Sequence, residues 1–380
     1  MKKSTHGRIR AAALVLFLVM CAPSFPANIV IPTMELITHG VSSGGLFTLQ
    51  TYGNMVLDVE GGYKFGGSVS FGLLNELDLE NVSLPIKFLS ASMTIRDVFS
   101  LPLNVIYFVG QNDIFGSGSG FSDFGAAPLM TQYRGFLYFP NNPADPLSPA
   151  PIYDGIYQVQ GTGAELAFTP IAGTLGVNLY LYEDTHPAFP DLGSYSGDLR
   201  FLLNSSDVKL EGFVGGTASP GAPLGIYRGG FLFYAASDNI EFLAQIGIPR
   251  WKPSHDTSLN VNLFYLLFEP RLHLGLFNIV PTFFWHPGYY NQWDYTATES
   301  GTFDVNLNLY FGDPTTTTLQ GGMEGNFRFQ SSAGEMIIKV SPWVGFSTPG
   351  VQWTVKVNAK LWPFKLSDML DGFVGVRAEL

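Results

Sequence analysis

The chain has 380 residues, of which only 13% are charged, about half of the ~25% usual in soluble globular proteins. Its mean hydropathy is +0.18, and it contains 43 glycines, 32 phenylalanines and 17 tyrosines. The formal net charge of −11 argues against nucleic acid or an anionic surface as a partner.

The first residues have the three-part layout of a secretory signal peptide. A basic start containing Lys2 and Lys3 precedes an apolar run, residues 11–20, and then small residues and prolines. We predict a signal peptide at 1–27, removed by cleavage between Ala22 and Ala27, and one mature domain at 28–380.

The only cysteine, Cys21, stands where a lipoprotein signal would place one. Met20 directly before it fits such a signal badly, because that position normally holds a small residue. Ordinary cleavage would leave a mature chain with no thiol, and the lipidation of Cys21 stays open.

Beyond the signal, no run of eighteen apolar residues appears, and apolar and polar residues alternate instead. Alternation with a period of two predicts strands with one apolar face. The first pair, 56–65 and 68–74, predicts a hairpin with its turn at Gly66-Gly67. Further alternating stretches are 87–97, 174–184, 302–312, 319–330, 350–362 and 373–380. Several reach the 9–11 residues that a tilted strand needs to cross a bilayer.

The connections are of two kinds, short turns and a few long polar stretches. We predict long outer loops at 112–161, 184–197, 217–224 and 285–301. Such asymmetry is typical of outer-membrane barrels. Aromatic residues near strand ends predict the aromatic girdles of such a barrel. These residues are Tyr63, Phe65, Tyr107, Phe108, Tyr138, Phe139, residues 283–285, Trp353 and Trp362.

These patterns predict an all-β fold, a transmembrane antiparallel β-barrel. At roughly 25 residues per strand and connection, the mature length gives about 14 strands, within a range of 12–16. Closure follows because a sheet in lipid must pair every backbone group.

The signal peptide, the alternating strands of about ten residues, the long loops and a strand that ends with the chain together resemble bacterial outer-membrane β-barrel proteins as a class. Such barrels usually finish in Phe or Trp, whereas this chain finishes in Leu380. A looser similarity to spirochaete outer-membrane proteins, and to barrels of the fatty-acid-transporter type, rests on the general character of stretches such as residues 101–120. The resemblance implies the outer membrane of a two-membrane, Gram-negative-type bacterium, with outer-membrane lipid as a partner.

The sequence motifs that could indicate catalysis, phosphate binding or metal binding are weak. GVSSG at 40–44 fits a nucleophile-elbow pattern, but strand-like sequence follows it, which favours a turn. GSGSG at 116–120 lacks the Lys-Ser/Thr of a phosphate-binding loop and predicts a flexible loop. His255 and Asp256 are expected to point apart in a loop. The histidines show no metal-ligand spacing, so no cofactor, metal or catalytic residue is predicted.

The polar face carries the most information, because in a barrel it faces the lumen. Opposed acids and bases there would either create a transverse field across an open pore or pair and plug the interior. The predicted strand at residues 268–275 places Glu269, Arg271 and His273 on one face and is the first candidate for a constriction. The other candidate lumen charges are Asp58, Glu60, Arg96, Glu324, Arg328, Lys356 and Lys360.

The leading hypothesis is a passive, porin-like channel for small solutes. One alternative is a carrier of hydrophobic molecules, with an apolar cleft formed by residues 112–127. Another is a closed barrel that serves as a surface adhesin or structural protein, using loops such as 285–295. We do not expect an enzyme, and the solute and the oligomeric state stay open.

Overall fold

The computed structural model describes residues 28–43, 46–77, 86–127, 129, 155–185, 194–220, 225–256, 258–287, 301–312, 319–330, 335–366 and 369–378. These residues form one sheet of eighteen strands. The first nine are β1 (Asn28–Ser43), β2 (Leu46–Gly61), β3 (Phe65–Leu77), β4 (Ile86–Ile95), β5 (Leu103–Phe115), β6 (Tyr157–Ile171), β7 (Leu175–Asp184), β8 (Tyr195–Asn204) and β9 (Val208–Ala218). The others are β10 (Ile226–Ser237), β11 (Ile240–Trp251), β12 (Tyr265–Leu274), β13 (Phe277–His286), β14 (Thr302–Phe311), β15 (Leu319–Gln330), β16 (Glu335–Thr348), β17 (Val351–Trp362) and β18 (Leu370–Ala378).

Each strand pairs antiparallel with the next one in the chain, and β1 pairs with β18. In that closing pair, Met34 faces Ala378 and Val41 faces Asp371. The sheet is therefore a closed up-and-down barrel with no free edge, as a sheet in lipid requires. Among the described residues, no helix is long and apolar enough to span a membrane.

The prediction of a closed antiparallel barrel is confirmed, but the estimate of about 14 strands is wrong. Several strands have only nine or ten residues, and many connections at one end of the barrel have only two or three. The average strand and connection is therefore shorter than the roughly 25 residues assumed for the estimate.

The first hairpin also differs from the prediction, because its turn lies at residues 62–64 and not at Gly66-Gly67. Gly62 has φ +73°, a left-handed conformation that suits glycine. Gly66 and Gly67 instead pair inside the sheet with Glu60 and Val59.

The two ends of the barrel differ. The end that holds the 62–64 turn, and at which β1 begins and β18 ends, is called the turn end; most of its connections have two or three residues, and none has more than seven. The opposite end, called the loop end, holds the connections 116–156, 185–194, 219–225 and 287–301. Each of the four predicted long loops overlaps one of these connections but also includes end residues of neighbouring strands, such as 112–115 of β5 and 217–218 of β9. That these loops are outer loops, and that 28–380 is one domain, stay predictions.

Short 3₁₀ turns complete the described structure, at Val98–Ser100, Ser119–Phe124 and Val261–Leu263. The predicted signal peptide, Tyr138, Phe139 and Leu380 lie outside the described residues.

Candidate functional site: the barrel lumen

The lumen is lined by the polar side of the alternation. Along β7, Asn178, Tyr180 and Tyr182 are buried, while Leu179 and Leu181 are 37% and 58% exposed. The same pattern places Asp304, Asn306 and Asn308 inside along β14. The apolar side chains therefore cover the outer surface, as expected for a barrel that faces lipid.

Aromatic side chains also enter the lumen, and the polar pattern did not predict the phenylalanines among them. Phe108, Phe115, Tyr180 and Phe213 are almost completely buried in one cluster. The rings of Phe115 and Tyr180 lie 5.0 Å apart in an edge-to-face arrangement, which favours packing beyond area burial alone. Phe108 is therefore not part of an outer girdle, whereas Tyr63 and Trp362 are 74% and 53% exposed.

The connection after β5 begins with a stretch that packs against the inner wall. We call residues 116–127 and 129 the inner segment. Phe121 and Leu129 are buried in one cluster with Leu202, Leu232 and Leu243, which lie on β8, β10 and β11. The Lys209 ammonium donates to the backbone carbonyl of Ala127 at 2.7 Å. The inner segment therefore fills the part of the lumen in front of β8–β11.

One carboxylate holds the start of the inner segment. The backbone N–H groups of Gly116 and Gly118 donate to the two oxygens of Glu211, at 2.7 and 2.9 Å. Both glycines have positive φ, +67° and +82°, which turns their N–H groups toward one point. The predicted flexible loop is thus bound to the wall, and its amides hold a carboxylate of the chain itself.

Arg200 completes this mid-lumen network. Its guanidinium donates from Nε to Glu211 at 2.9 Å, lies 3.3 Å from Asp113, and lies 5.4 Å from the ring centroid of Phe115. Arg200 and Glu211 are fully buried. A buried pair with this many partners fixes geometry more than it adds net stability.

A second network lies toward the loop end. Arg228 donates to both oxygens of Asp198, each at 2.7 Å, and to the hydroxyls of Thr217 and Tyr182 at 2.7 and 2.9 Å. The guanidinium also lies 4.2 Å from the centroid of the Tyr157 ring. Because charge-assisted bidentate contacts are the strong ones, this network joins β6 through β10 firmly.

Two pairs neutralise the inner face of β14–β17. Arg328 donates to Asp304 at 2.7 and 3.1 Å. The Lys356 ammonium donates to Glu324 at 2.6 Å, and the other Glu324 oxygen accepts from Asn306 at 2.6 Å. Three of the candidate lumen charges, Glu324, Arg328 and Lys356, therefore lie on the inner face and are paired.

The predicted constriction strand forms a network near the turn end. Arg271 donates to Glu269 at 2.9 Å and to Glu241 at 3.0 Å. His273 Nδ1 lies 2.6 Å from the Asn278 amide oxygen, and its Nε2 lies 3.2 Å from a Glu241 oxygen. Glu269, Arg271 and His273 thus share one face, with Glu241 supplied by the neighbouring strand.

The remaining acid and base candidates at the turn end lie near β2. Arg96 follows the last residue of β4 and lies 3.5 Å from Glu60, so it sits at the rim and not on a strand. Lys64 lies 3.9 Å from Asp97. The Asp97 carboxylate accepts a hydrogen bond from Tyr63, which raises the pKa of that phenol.

Two candidates stand apart from this pairing. Among the described residues, no ion pair joins Asp58 or Lys360 to an opposite charge. Lys360 faces Lys339 in register, and Lys339 lies 4.0 Å from Asp371. Two lysines thus face each other near the loop end, and only Lys339 has an ion pair, while Asp58 lies near the turn end on the other side of β1.

The exposure of the inner face changes around the barrel. We call the inner faces of β18, β1, β2, β3 and β4 the accessible wall. Strand pairing shows which residues face inward here. Buried Thr354 pairs with Gly375, and the pairs continue from there across β1 to β2 and β3. The inner side chains there are half-buried, whereas most of those on β7–β15 are buried. The half-buried members include Glu35, Asn54, Ser68, Ser70, Ser90, Ser92, Thr94 and Arg377.

The structure thus reports the position of each predicted lumen charge, while a role of any of them in conduction stays a prediction. Sequence reasoning missed Asp198 and Arg228. It placed Arg200 and Glu211 on the polar face without singling them out. The sequence did contain a signal for Arg200 and Glu211. One is basic and the other acidic, and each occupies a polar position in the alternation of two adjacent strands.

The weak sequence motifs lie in ordinary strands and loops of the fold. Residues 40–43 of GVSSG lie inside β1, and β2 follows. His255 and Asp256 do not point apart as expected, since their side chains lie 3.0 Å apart, and Asp256 also accepts from the Lys252 backbone N–H. Within the described ranges, no group of three or more His, Cys, Asp or Glu side chains is placed to hold a metal ion.

Solved structures are similar to this chain at very low sequence identity. OprD of Pseudomonas aeruginosa has a TM-score of 0.53 and 7% identity, over 95% of this chain and 97% of that chain. A variant of the Rh. blastica porin has a TM-score of 0.45 and 9% identity, over 93% of this chain and 100% of that chain. No family model and no curated protein sequence matches. The similarity to OprD identifies the architecture as that of a large porin-like barrel.

Proposed function

We propose that this chain is a passive channel of a bacterial outer membrane, and that solutes pass along the accessible wall. The observation that carries the proposal is the contrast within the lumen. The inner segment and the paired charges fill the side of β5–β15, while the inner residues of β18 and β1–β4 keep half-exposed side chains. The porin-like architecture and the apolar outer surface support a position in lipid.

The two alternative functions receive less support. The apolar cleft proposed for a hydrophobic carrier would need free aromatic side chains between residues 112 and 127, yet Phe115 and Phe121 are buried against the wall. The adhesin hypothesis depends on loops such as residues 288–295, which lie outside the described residues. Both stay predictions.

Cysteine labelling during conductance recording tests the proposed path. In the mature chain, Ser92→Cys would place a thiol on the accessible wall, and Ser341→Cys would place one on the inner face of β16, where Ser341 is buried. Detergent-refolded protein is checked by heat-modifiable gel mobility and inserted into planar bilayers. A charged thiol reagent is then added.

The expected result is discrete channel steps in every folded variant, and a fall in step size only for Ser92→Cys. A third variant, Thr51→Cys, places the thiol on the lipid side and should not respond. Folded protein without channel steps would overturn the proposed function. Steps that fall for Ser341→Cys and not for Ser92→Cys would move the path away from β3 and β4 to the inner face of β16.

A further inference from the structure

The accessible wall carries an ordered patch of hydroxyl groups. Ser68 faces Ser92 in register, and Ser70 faces Ser90, across β3 and β4. Facing side chains are about 5 Å apart at Cβ, and successive inward residues along a strand are about 7 Å apart. We call these four residues the serine patch.

The hydroxyls of the serine patch are available to a solute. Ser70 donates to the Asn54 side-chain oxygen at 3.1 Å, which leaves the Asn54 amide N–H₂ beside the patch. Within the described part of the chain, no hydrogen bond to protein occupies the hydroxyls of Ser68, Ser90 or Ser92, and all three side chains are half-buried. Each hydroxyl can donate one hydrogen bond and accept two. The patch therefore offers donors and acceptors together, which is what a polyhydroxylated solute requires.

The charges around the accessible wall disfavour ions of both signs. Asp58 faces Ser68 in register near the turn end and has no basic partner among the described residues. Near the loop end, Lys360 faces Lys339 in register, and the Lys339 ammonium lies 4.0 Å from Asp371, while no ion pair of Lys360 occurs among the described residues. An anion is repelled near Asp58 and a cation near the lysines, so either ion meets a barrier at one end. A neutral solute meets neither.

We infer that the channel prefers small neutral polyhydroxylated solutes, such as sugars and polyols, over charged solutes of the same size. This inference rests on the proposed channel and deepens it. The serine patch supplies hydrogen bonds that replace part of the solute's hydration. The separated charges slow the entry of anions and cations relative to neutral solutes. The hydrogen bonds come from side chains on the accessible wall, and the charges come from Asp58 on that wall and from Lys339 and Lys360 on the neighbouring strands β16 and β17.

Three probes with one carbon skeleton test the preference. Glucose is neutral, protonated glucosamine is a cation, and gluconate is an anion. Swelling rates of proteoliposomes are measured in iso-osmotic solutions, with chloride and potassium as counter-ions. At a separation near 10 Å and partial screening, one excess charge predicts that each ion enters about threefold to tenfold more slowly than glucose.

The variants assign the effect to residues. Asp58→Asn should speed gluconate alone, and Lys360→Gln should speed glucosamine alone. The double variant Ser68→Ala/Ser92→Ala should slow glucose about twofold to fourfold, because it removes two weak hydrogen bonds. Its matched control is Thr38→Val/Thr51→Val, which removes a facing hydroxyl pair from the outer face and should leave the glucose rate unchanged.

The outcomes separate the two proposals. Channel steps with equal swelling in all three solutes would overturn the preference and leave the channel standing. Channel steps with one ion fastest would also overturn it. Absence of both steps and swelling in folded protein would overturn the channel itself, and the preference with it.

Discussion

Arg200 and Glu211 form a fully buried ion pair across β8 and β9, and the same Glu211 carboxylate holds the start of the inner segment. Arg200 Nε lies 2.9 Å from one Glu211 oxygen, and the N–H groups of Gly116 and Gly118 donate to both oxygens. The pair therefore links the rigid wall to the connection that fills part of the lumen. Disturbing it should change conduction without changing the barrel.

Glu211→Gln should loosen the inner segment. The amide keeps the shape of the side chain, but it offers one acceptor oxygen instead of two and leaves Arg200 without its full counter-charge. Removing one partner of a buried pair costs about 3–5 kcal/mol. We expect larger and noisier single-channel currents and faster chymotrypsin cleavage near Phe121.

The matched control is Glu183→Gln, because Glu183 is exposed on the outer side of β7. It should behave as the unmodified protein in both assays. Unchanged current noise and unchanged cleavage in Glu211→Gln would show that the inner segment does not depend on this carboxylate.

Gly120→Ala should displace the inner segment by steric pressure. A Cβ built on Gly120 would lie 2.5 Å from the Arg200 guanidinium carbon, inside any tolerable contact. Overpacking of this kind costs about 1–3 kcal/mol. Gly212→Ala is the control, because a Cβ there meets nothing within 4 Å. The temperature at which the heat-modifiable gel band shifts should fall for Gly120→Ala only, and equal shifts for both would contradict the packing.

The apolar and polar faces of the strands could be predicted from the sequence, because they depend only on residues that alternate with a local period of two. The alternation of residues 174–184 predicted a strand with one apolar face, and β7 buries Asn178, Tyr180 and Tyr182 on its other face. The strand number could not be obtained in this way, since it depends on how short each connection is. Residues 238–239 and 275–276, for example, are complete connections of only two residues, which the assumed average length did not allow for.

The inner segment could not be predicted because its partners are far away in sequence. Gly116 and Glu211 are 95 residues apart, and no local pattern relates them. Periodicity also failed for Phe115, since an apolar residue next to a glycine-rich stretch indicates a loop as readily as a buried anchor. The pairing of Arg271 with Glu269 on one strand was foreseeable, but the contribution of Glu241 required the register of β11 and β12.

Asp198→Asn should destabilise the barrel without changing its conduction. It leaves the buried Arg228 guanidinium without its carboxylate, at a cost of about 3–5 kcal/mol. Urea unfolding in detergent micelles, followed by tryptophan fluorescence, measures the loss. Single-channel conductance should stay unchanged, because this network lies on the filled side of the lumen.

Adding Arg228→Gln to Asp198→Asn provides the internal control. If the cost arises from the unpaired charge, the double variant should recover part of the lost stability, because residues in one network are not additive. A double variant that loses the sum of the two single losses would contradict the pairing and point to packing against Tyr157 instead.

Arg271→Gln should make the channel more cation-selective. Arg271 is the shared partner of Glu241 and Glu269 near the turn end, and its removal leaves two carboxylates without that guanidinium. Loss of the one positive charge makes the network one unit more negative and attracts cations, so the potassium-to-chloride permeability ratio from the reversal potential should rise about twofold at low salt and less at high salt. Arg271→Lys, which keeps the charge, should preserve the original ratio. A ratio that stays constant in folded Arg271→Gln would mean that this network lies beyond the electrostatic reach of the conducting path.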